Sequence, residues 1–366
     1  MSGLLLQFGT SRFLQAHADL FLHEARMAGQ DVPDVVIVQT SGSAARAGRL
    51  AAFSKPEGFP VRIRGLEDGQ PVEREVQVKS VTRGLSTAAD WPDVVSLFAE
   101  QADTILSNTG DSGYSVAPEE AAQGLDASAP LPSFPGKLAQ LLLARYRAGG
   151  RALTILPCEL INRNGPVLKA IVTDLARGAG AEEAFLAWLD TKVIFANTLV
   201  DRIVSEPLEP AGAVAEPYAL WAIEEAPGLV PPCTHPSIVL APDIEPYERL
   251  KLHILNLGHT VLADIWRKEG RPTEETVRAI LSDPAIAARL DALYRDEVVP
   301  GFAARGLGGE AQAYVETTLS RFRNPFLDHR LSEIAGNHAV KIERRIAAFL
   351  AWAGTPAPTL QNIVSR

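Results

Sequence analysis

Lys251, Asn256 and His259 stand within one short stretch, Lys251-Leu-His-Ile-Leu-Asn-Leu-Gly-His-Thr260. Most residues between them are apolar, so the stretch reads as the start of a buried helix. A lysine is almost never fully buried unless a partner or a task holds it there. Burial disfavours the ammonium form and lowers its pKa, which readies such a lysine to give or take a proton near neutral pH. Asn256 and His259 are three positions apart and so are neighbours on a helix. An amide beside an imidazole can hold a substrate oxygen. In a regular helix Lys251 is rotated away from Asn256, so it is expected in the first turn, reaching across. A solvated lysine and a core histidine produce the same pattern, and the rest of the chain has to weigh between the two.

The elements that would position such a site begin at the N-terminus. Residues 4–8 are an apolar run ending at Gly9, a buried strand and a turn. Residues 13–28 then carry helical apolar spacing through Phe13, Ala16, Leu20, Phe21 and Ala25. Strand, glycine turn and helix open a dinucleotide-binding unit, with phosphates at the helix N-terminus. Of the GxGxxG pattern only Gly9 is present, followed by Thr10, Ser11, Arg12 and Phe13. Ser11 can hydrogen-bond a phosphate and Arg12 adds a cation, although an ordinary βα turn reads the same way. The second strand, 35–39, ends at Gln39-Thr40-Ser41, where a NAD-selective fold carries an acid for the ribose 2′-hydroxyl. Arg46 and Arg49 follow. NAD is the expected cofactor, and these residues leave NADP open.

Residues 59–86 alternate like two antiparallel strands around Glu67-Asp68-Gly69-Gln70, an insertion on a parallel sheet. A strand at 104–107 places Asn108 and Thr109 at its C-terminal end, where open α/β sheets bind ligands. After a helix at 134–147 and a strand at 152–156, Glu159, Asn162 and Asn164 cluster, either as site residues or as the turn into the next helix. Asp201 and Arg202 follow a strand at 192–196, as an ion pair or as part of the site. After Tyr247 the strand signals stop and helical patterns take over. The alternation predicts an α/β fold: a Rossmann-like N-terminal domain with a mostly parallel sheet over residues 1–245, followed by a mostly helical C-terminal domain over 246–366.

The chain has 366 residues and a net charge of −9. That charge argues against nucleic acid as a main partner. Its two cysteines, Cys158 and Cys233, form no CxxC and no zinc-spaced cluster, so neither a disulfide framework nor a metal site is expected. The opening residues read as a strand rather than a signal peptide, and no apolar stretch is long enough to span a membrane. A cytoplasmic enzyme is the expectation. The oligomeric state stays open.

At this point the residues resemble a known family. Lys251-x-x-x-x-Asn256-x-x-His259 looks like the signature of the polyol-specific long-chain dehydrogenases, the mannitol dehydrogenase family. Phe8-Gly-Thr-Ser-Arg-Phe13, Ser107-Asn-Thr-Gly-Asp-Ser-Gly-Tyr114, Phe195-Ala-Asn-Thr-Leu-Val-Asp-Arg-Ile203 and Arg321-Phe-Arg-Asn-Pro325 resemble further family segments in the same order. Within the family, Pro157-Cys-Glu-Leu-Ile161 and Asn324-Pro-Phe-Leu-Asp-His-Arg-Leu331 are similar to the branch that interconverts keto sugar acids and their hydroxy acids, of the tagaturonate/altronate type.

The resemblance implies NAD(P)-dependent, metal-independent hydride transfer at a secondary alcohol of a sugar acid or polyol. Lys251 would be the general acid and base, Asn256 and His259 would hold the reacting oxygen, and Glu248 would relay protons. A hexuronate carboxylate needs a cation, for which Arg321, Arg323 and Lys341 are candidates, with His329, Asn337 and His338 nearby. Glu159, Asn162 and Asp201 are further substrate-side candidates. Leu160 stands where mannitol-type members carry an Asn that polarises the carbonyl, and Ser11 departs from the glycine turn. Fructuronate reductase and mannitol-type dehydrogenase are the alternatives among enzymes. A sugar-acid or dinucleotide sensor on the same fold is the alternative outside them.

Overall fold

The computed structural model describes residues 3–41, 47–67, 69–110 and 113–365. Arg46, Asp111 and Ser112 therefore lie outside the described residues. Among the described residues thirteen strands run in chain order: β1 (Leu4–Phe8), β2 (Asp34–Gln39), β3 (Phe59–Glu67), β4 (Gln70–Val78), β5 (Val81–Ser86), β6 (Ala102–Ser107), β7 (Leu153–Pro157), β8 (Val193–Phe195), β9 (Thr198–Asp201), β10 (Val204–Pro207), β11 (Ala213–Ala215), β12 (Leu220–Glu224) and β13 (Ile238–Ala241).

Six of them form one sheet in the order β5-β2-β1-β6-β7-β8. Every neighbouring pair in it is parallel. The order folds back at β1, so chain order runs outward in both directions from the β1/β6 junction. A parallel sheet is covered on both faces, which is why its strands are continuous apolar runs rather than alternating ones. Val35, Val36, Ile37 and Val38 of β2 are all buried. Helices Trp91–Glu100, Phe134–Arg147 and Asn164–Gly178 lie between these strands in the chain. Phe8 meets Phe98 and Phe134 at ring-centroid distances of 6.3 and 5.6 Å in the core beneath. Each such fully buried side chain contributes roughly 1.5–3 kcal/mol. The parallel Rossmann-like sheet and the helical C-terminal part are as expected.

Two details differ from the sequence reading. The stretch 59–86 is not a two-stranded insertion. β3 and β4 belong to a separate sheet of order β10-β11-β3-β4, while β5 joins the parallel sheet beside β2. Periodicity alone does not report which sheet a strand enters. The helix expected over 13–28 is broken into Arg12–Gln15 and Ala18–Met27. The Ala16 carbonyl, which would continue the ladder, instead accepts from the Arg202 guanidinium at 2.7 Å, and His17 Nε2 bonds the Leu220 carbonyl at 3.1 Å.

By compactness the chain divides into two units. The first comprises Met1–Arg62, Glu75–Ala215 and Ala219–Ile244; the second comprises Ile63–Arg74, Glu216–Tyr218 and Glu245–Arg366. The second is built mainly from helices packed around Ile254, Leu257, Leu262, Tyr294, Phe302 and Phe349. Side chains cap its short helices: Asp283 accepts from Ala285 N, and Glu297 accepts from Thr359 N and Leu360 N at 2.8 and 3.0 Å. Among the described residues no helix is long and apolar enough to cross a membrane.

Candidate active site

In the first unit one pocket gathers the ends of three parallel strands. Gly9, Thr10 and Ser11 follow β1, Gln39 and Thr40 close β2, and Asn108, Thr109 and Gly110 follow β6; Arg49 completes the lining. This is the strand-order switch point, outside the carboxyl ends of the strands, where such sheets bind nucleotides. Gly9 makes the approach of the two loops possible. Its φ is +115°, and a Cβ there would lie 2.4 Å from the Asn108 carbonyl oxygen, a conformation and a clearance that only glycine tolerates. A dinucleotide fits this donor set. Backbone and hydroxyl groups stand at the switch point, and Ser11 Oγ accepts from Leu14 N at the first turn of the following helix.

The structure separates the candidates of this first loop. Gly9, Thr10, Ser11, Gln39, Asn108 and Thr109 share the pocket, whereas Arg12 and Phe13 are not in its lining. Arg12 donates to the carbonyls of Leu208 and Gly212 at 2.6 and 3.0 Å and pairs with Glu209 at 2.6 Å. It pins the loop between β10 and β11 rather than serving as the expected phosphate cation. Phe13 stacks on His17 at 4.8 Å. Among the described residues that line the pocket, the cation is Arg49, whose Nη1 donates to the Thr10 carbonyl at 3.0 Å.

Glu159 is a second correction. Expected on the substrate side, it is buried beneath the β6 loop. Its carboxylate accepts from Ser107 Oγ, Thr109 N and Thr109 Oγ1 at 3.0 Å each, and from Tyr114 OH at 3.1 Å. Burial raises its pKa, against the hydrogen bonds from Thr109 and Ser107, which favour the anion. Asn108 Nδ2 adds a 2.7 Å bond to the Cys158 carbonyl. Glu159 thus fixes the position of Asn108 and Thr109. Asn164 ties the next loop, donating to Pro157 O and Thr198 O and accepting from Thr198 N. Asp201 is buried at the end of β9, and Asn162 is exposed.

In the second unit Lys251 does not begin a helix. Helix Glu245–Leu250 runs straight into a π turn, Lys251–Leu255, and then into helix Asn256–Lys268. In an α-helix, residues five apart point about 140° from each other, at 3.6 residues per turn. A π turn bonds i to i+5, and Asn256 N donates to both the Leu252 and the Lys251 carbonyls. Compared with a regular α-helix, the inserted register turns position 251 toward the side of Asn256, and His259 follows one α turn later. Lys251 and Asn256 are half-buried and His259 is buried. Glu248 lies on the preceding turn.

Partners outside the helix support this turn. Tyr294 OH donates to Ile254 O at 2.9 Å. Arg345 Nη1 reaches Asn256 O at 3.3 Å and Thr260 Oγ1 at 3.1 Å. His253 Nδ1 donates to Arg345 O at 3.0 Å. His259 packs against Phe322 at 4.5 Å and edge-on to His329 at 5.0 Å. Burial, outweighing Glu333, lowers the His329 pKa, and the Lys341 charge acts in the same direction. Among the residues the sequence did not single out, Gly258 was the visible signal. A glycine inside a helix costs about 1 kcal/mol relative to alanine, and here a Cβ would sit 1.9 Å from the Tyr294 hydroxyl.

Arg321, expected to receive a substrate carboxylate, already holds one. Its Nη2 and Nε lie 2.8 and 3.0 Å from the two oxygens of Glu216, and both side chains are buried. The guanidinium also covers the Tyr218 ring at 4.3 Å. The Lys341 ammonium donates to the Ile334 carbonyl at 2.7 Å; burial, with Arg345 adding to it, lowers its pKa. Among the described residues no three His, Cys, Asp or Glu side chains gather as metal donors.

Comparison with known proteins accounts for both units. The profile of the mannitol dehydrogenase Rossmann domain matches residues 4–230, and that of the mannitol dehydrogenase C-terminal domain matches residues 243–363. The chain belongs to the mannitol dehydrogenase family. An altronate oxidoreductase of Halalkalibacterium halodurans is 32% identical over 365 residues, covering 93% of this chain and 69% of its own. One of Bacillus subtilis is 29% identical over 372 residues, with 93% and 73% covered. In fold, the chain is similar to a D-sorbitol dehydrogenase (TM-score 0.81, 18% identity, 96% and 76% covered). It is also similar to the Pseudomonas fluorescens mannitol 2-dehydrogenase in ternary complex with NAD and D-mannitol (TM-score 0.76, 18% identity, 100% and 78% covered). Leu160 is 69% exposed.

Proposed function

We propose that this chain is an NAD-dependent oxidoreductase that interconverts a keto sugar acid and its hydroxy acid, of the tagaturonate/altronate type. The observation that carries the substrate class is the pair of altronate oxidoreductase relatives at 32% and 29% identity over 93% of the chain. In this reading residues 1–245 bind the dinucleotide, residues 246–366 carry the substrate and catalytic groups, and the enzyme works in the cytoplasm.

When bound, the nicotinamide supplies or accepts the hydride. Gly9, Thr10, Ser11, Gln39, Asn108 and Thr109 seat the dinucleotide. Protonated Lys251 gives its proton to the carbonyl oxygen during reduction, and neutral Lys251 takes it from the hydroxyl during oxidation. Asn256 and His259 donate to the reacting oxygen and a neighbouring hydroxyl, stabilising the charge that develops there. Glu248 relays the proton to solvent. Lys341 takes the substrate carboxylate in place of Arg321, with Asn162 and Asp201 as further substrate contacts.

The test is NADH consumption with tagaturonate, fructuronate and fructose, for the wild type and Lys251→Ala. Tagaturonate should be the preferred substrate, and the alanine variant should lose at least about a hundredfold in kcat, the scale of general acid catalysis. EDTA should leave turnover unchanged. Preference for fructuronate or fructose would move the substrate assignment, and full turnover by Lys251→Ala would overturn the lysine mechanism. Binding of NADH without turnover of any substrate would favour the sensor.

A further inference from the structure

We propose that Arg345 and His253 are positioning residues for the catalytic helix, acting through an interlock of three π turns that fixes the register between Lys251 and Asn256. The proposal rests on the catalytic roles proposed for Lys251, Asn256 and His259. Neither Arg345 nor His253 is asked to touch the substrate; both act through the main chain.

A π turn is a rare element that frequently marks a functional site. Among the described residues the second unit holds three: Lys251–Leu255, Tyr294–Val298 and Glu343–Ala347. Each makes its i to i+5 bond, from Asn256 N to Lys251 O, from Val299 N to Tyr294 O and from Ala348 N to Glu343 O. The inserted residue displaces the α-helical ladder, so carbonyls in and beside such a turn call for donors from elsewhere. Here the turns supply one another. Tyr294, which opens the second turn, donates to Ile254 O in the first at 2.9 Å. Arg345, at the middle of the third, reaches Asn256 O directly beyond the first turn at 3.3 Å, and Thr260 Oγ1 at 3.1 Å. Thr260 Oγ1 itself donates to Asn256 O at 2.9 Å, so the arginine and the threonine hold one carbonyl together. The bond is returned from the first turn to the third, where His253 Nδ1 donates to Arg345 O at 3.0 Å.

The first and third turns are thus bonded in both directions, and a change of register in either breaks bonds made to the other. His253 suits this task. Burial pulls its pKa down to about 4, with the Arg249 charge acting the same way and the Arg345 bond acting against it. The ring is therefore neutral near pH 7, and its carbonyl partner fixes the single N–H on Nδ1. Phe349 and Trp352, from the helix that follows the third turn, pack on the ring at 5.5 and 6.0 Å. A slip of one residue in an α-helix is a rotation of about 100°. The interlock guards against such a slip between position 251 and the helix that carries Asn256 and His259.

The test uses the full chain with NADH and tagaturonate, comparing the wild type with Arg345→Met, Arg345→Lys and His253→Phe, and with Lys251→Ala alongside. Arg345→Met and His253→Phe should each lower kcat by more than about tenfold, toward the roughly hundredfold cost of a 1 Å misplacement. The NADH dissociation constant should move by less than about threefold. Arg345→Lys should recover part of kcat, because an ammonium is a point charge where the fork reaches two acceptors. The double variant His253→Phe/Arg345→Met should lose less than the product of the two single losses, since both break one interlock. Hydrogen exchange of the amides in residues 251–260 should speed up in both single variants. A lowered melting temperature with kcat within about threefold of the wild type would make these residues merely structural and overturn the proposal. Losses that multiply in the double variant would overturn the interlock. Should Arg345→Met not fold, His253→Phe and Arg345→Lys carry the same readouts. If Lys251→Ala loses turnover while these variants keep theirs, this proposal alone fails. If Lys251→Ala keeps full turnover, the lysine mechanism fails and this proposal with it.

Discussion

The phenolic hydroxyl of Tyr294 donates to the main-chain carbonyl of Ile254 at 2.9 Å, from 40 positions further along the chain. Ile254 lies inside the π turn that rotates position 251 toward the side of Asn256. A buried carbonyl without a donor is costly, so this bond helps the helix keep a register that an α-helix would not adopt. Tyr294→Phe should lower stability by about 1–3 kcal/mol, the range for a buried acceptor left unmatched. It should also lower kcat, because position 251 would rotate away from the side of Asn256. Gly258→Ala should do the same from the other partner, since its Cβ would meet the Tyr294 hydroxyl at 1.9 Å. Urea titration and steady-state kinetics check both variants. Unchanged kcat in a destabilised Tyr294→Phe would separate the π turn from catalysis.

Glu159 holds Thr109 by two hydrogen bonds and Ser107 and Tyr114 by one each. Glu159→Gln keeps the size but replaces one acceptor oxygen with a donor, so donors now face a donor. The β6 loop should loosen. The expected result is a rise in the dinucleotide dissociation constant of about tenfold, equivalent to roughly 1.4 kcal/mol. The substrate KM at saturating cofactor should change little. A larger effect on substrate KM than on cofactor binding would return Glu159 to the substrate side.

Asp19 is fully buried, and burial pushes its carboxyl pKa from 3.8 up to about 8, against the Gln7 hydrogen bond, which lowers it. Between these two values the folded protein keeps a proton that the unfolded chain has released. Its contribution to stability is therefore complete below the unfolded pKa and is lost as pH rises through about 8. Asp19→Asn removes the titration and keeps an acceptor for Gln7. The variant should be more stable than the wild type at pH above about 8, and the difference should shrink as pH falls toward about 4. Thermal melts of both proteins across this range measure it. A constant difference would show that Asp19 does not titrate as its burial requires.

Arg321 and Glu216 form a buried pair at 2.8 Å. Removing one partner strands a buried charge, a loss of about 3–5 kcal/mol. Glu216→Gln and Arg321→Leu should both unfold at much lower denaturant, and the double variant should recover part of the loss. If Arg321 instead bound the substrate carboxylate, Arg321→Lys would raise substrate KM with stability intact, and Glu216 would be uncoupled from it. A double-mutant cycle in stability and in KM distinguishes the two.

Lys251, Asn256 and His259 could be singled out as candidates in the sequence because residue type and spacing are local properties. The same is true of Gly9 at the end of an apolar run and of Asn108 and Thr109 after β6. The alternation of apolar strands and helices likewise determined the parallel sheet and the change to helices after it. What the sequence could not determine depended on partners far along the chain. The π turn at Lys251 needs Tyr294 and Arg345, 40 and 89 positions from the carbonyls they reach, and helical periodicity carries no record of such donors. Glu159 and Arg321 looked like substrate groups because a carboxylate or guanidinium has the same chemistry toward a ligand as toward a neighbour. Only the tertiary structure put Thr109 over one and Glu216 against the other. β5 entered the parallel sheet rather than the β3–β4 sheet for the same reason: hydrogen bonds between strands are settled by which backbone lies alongside.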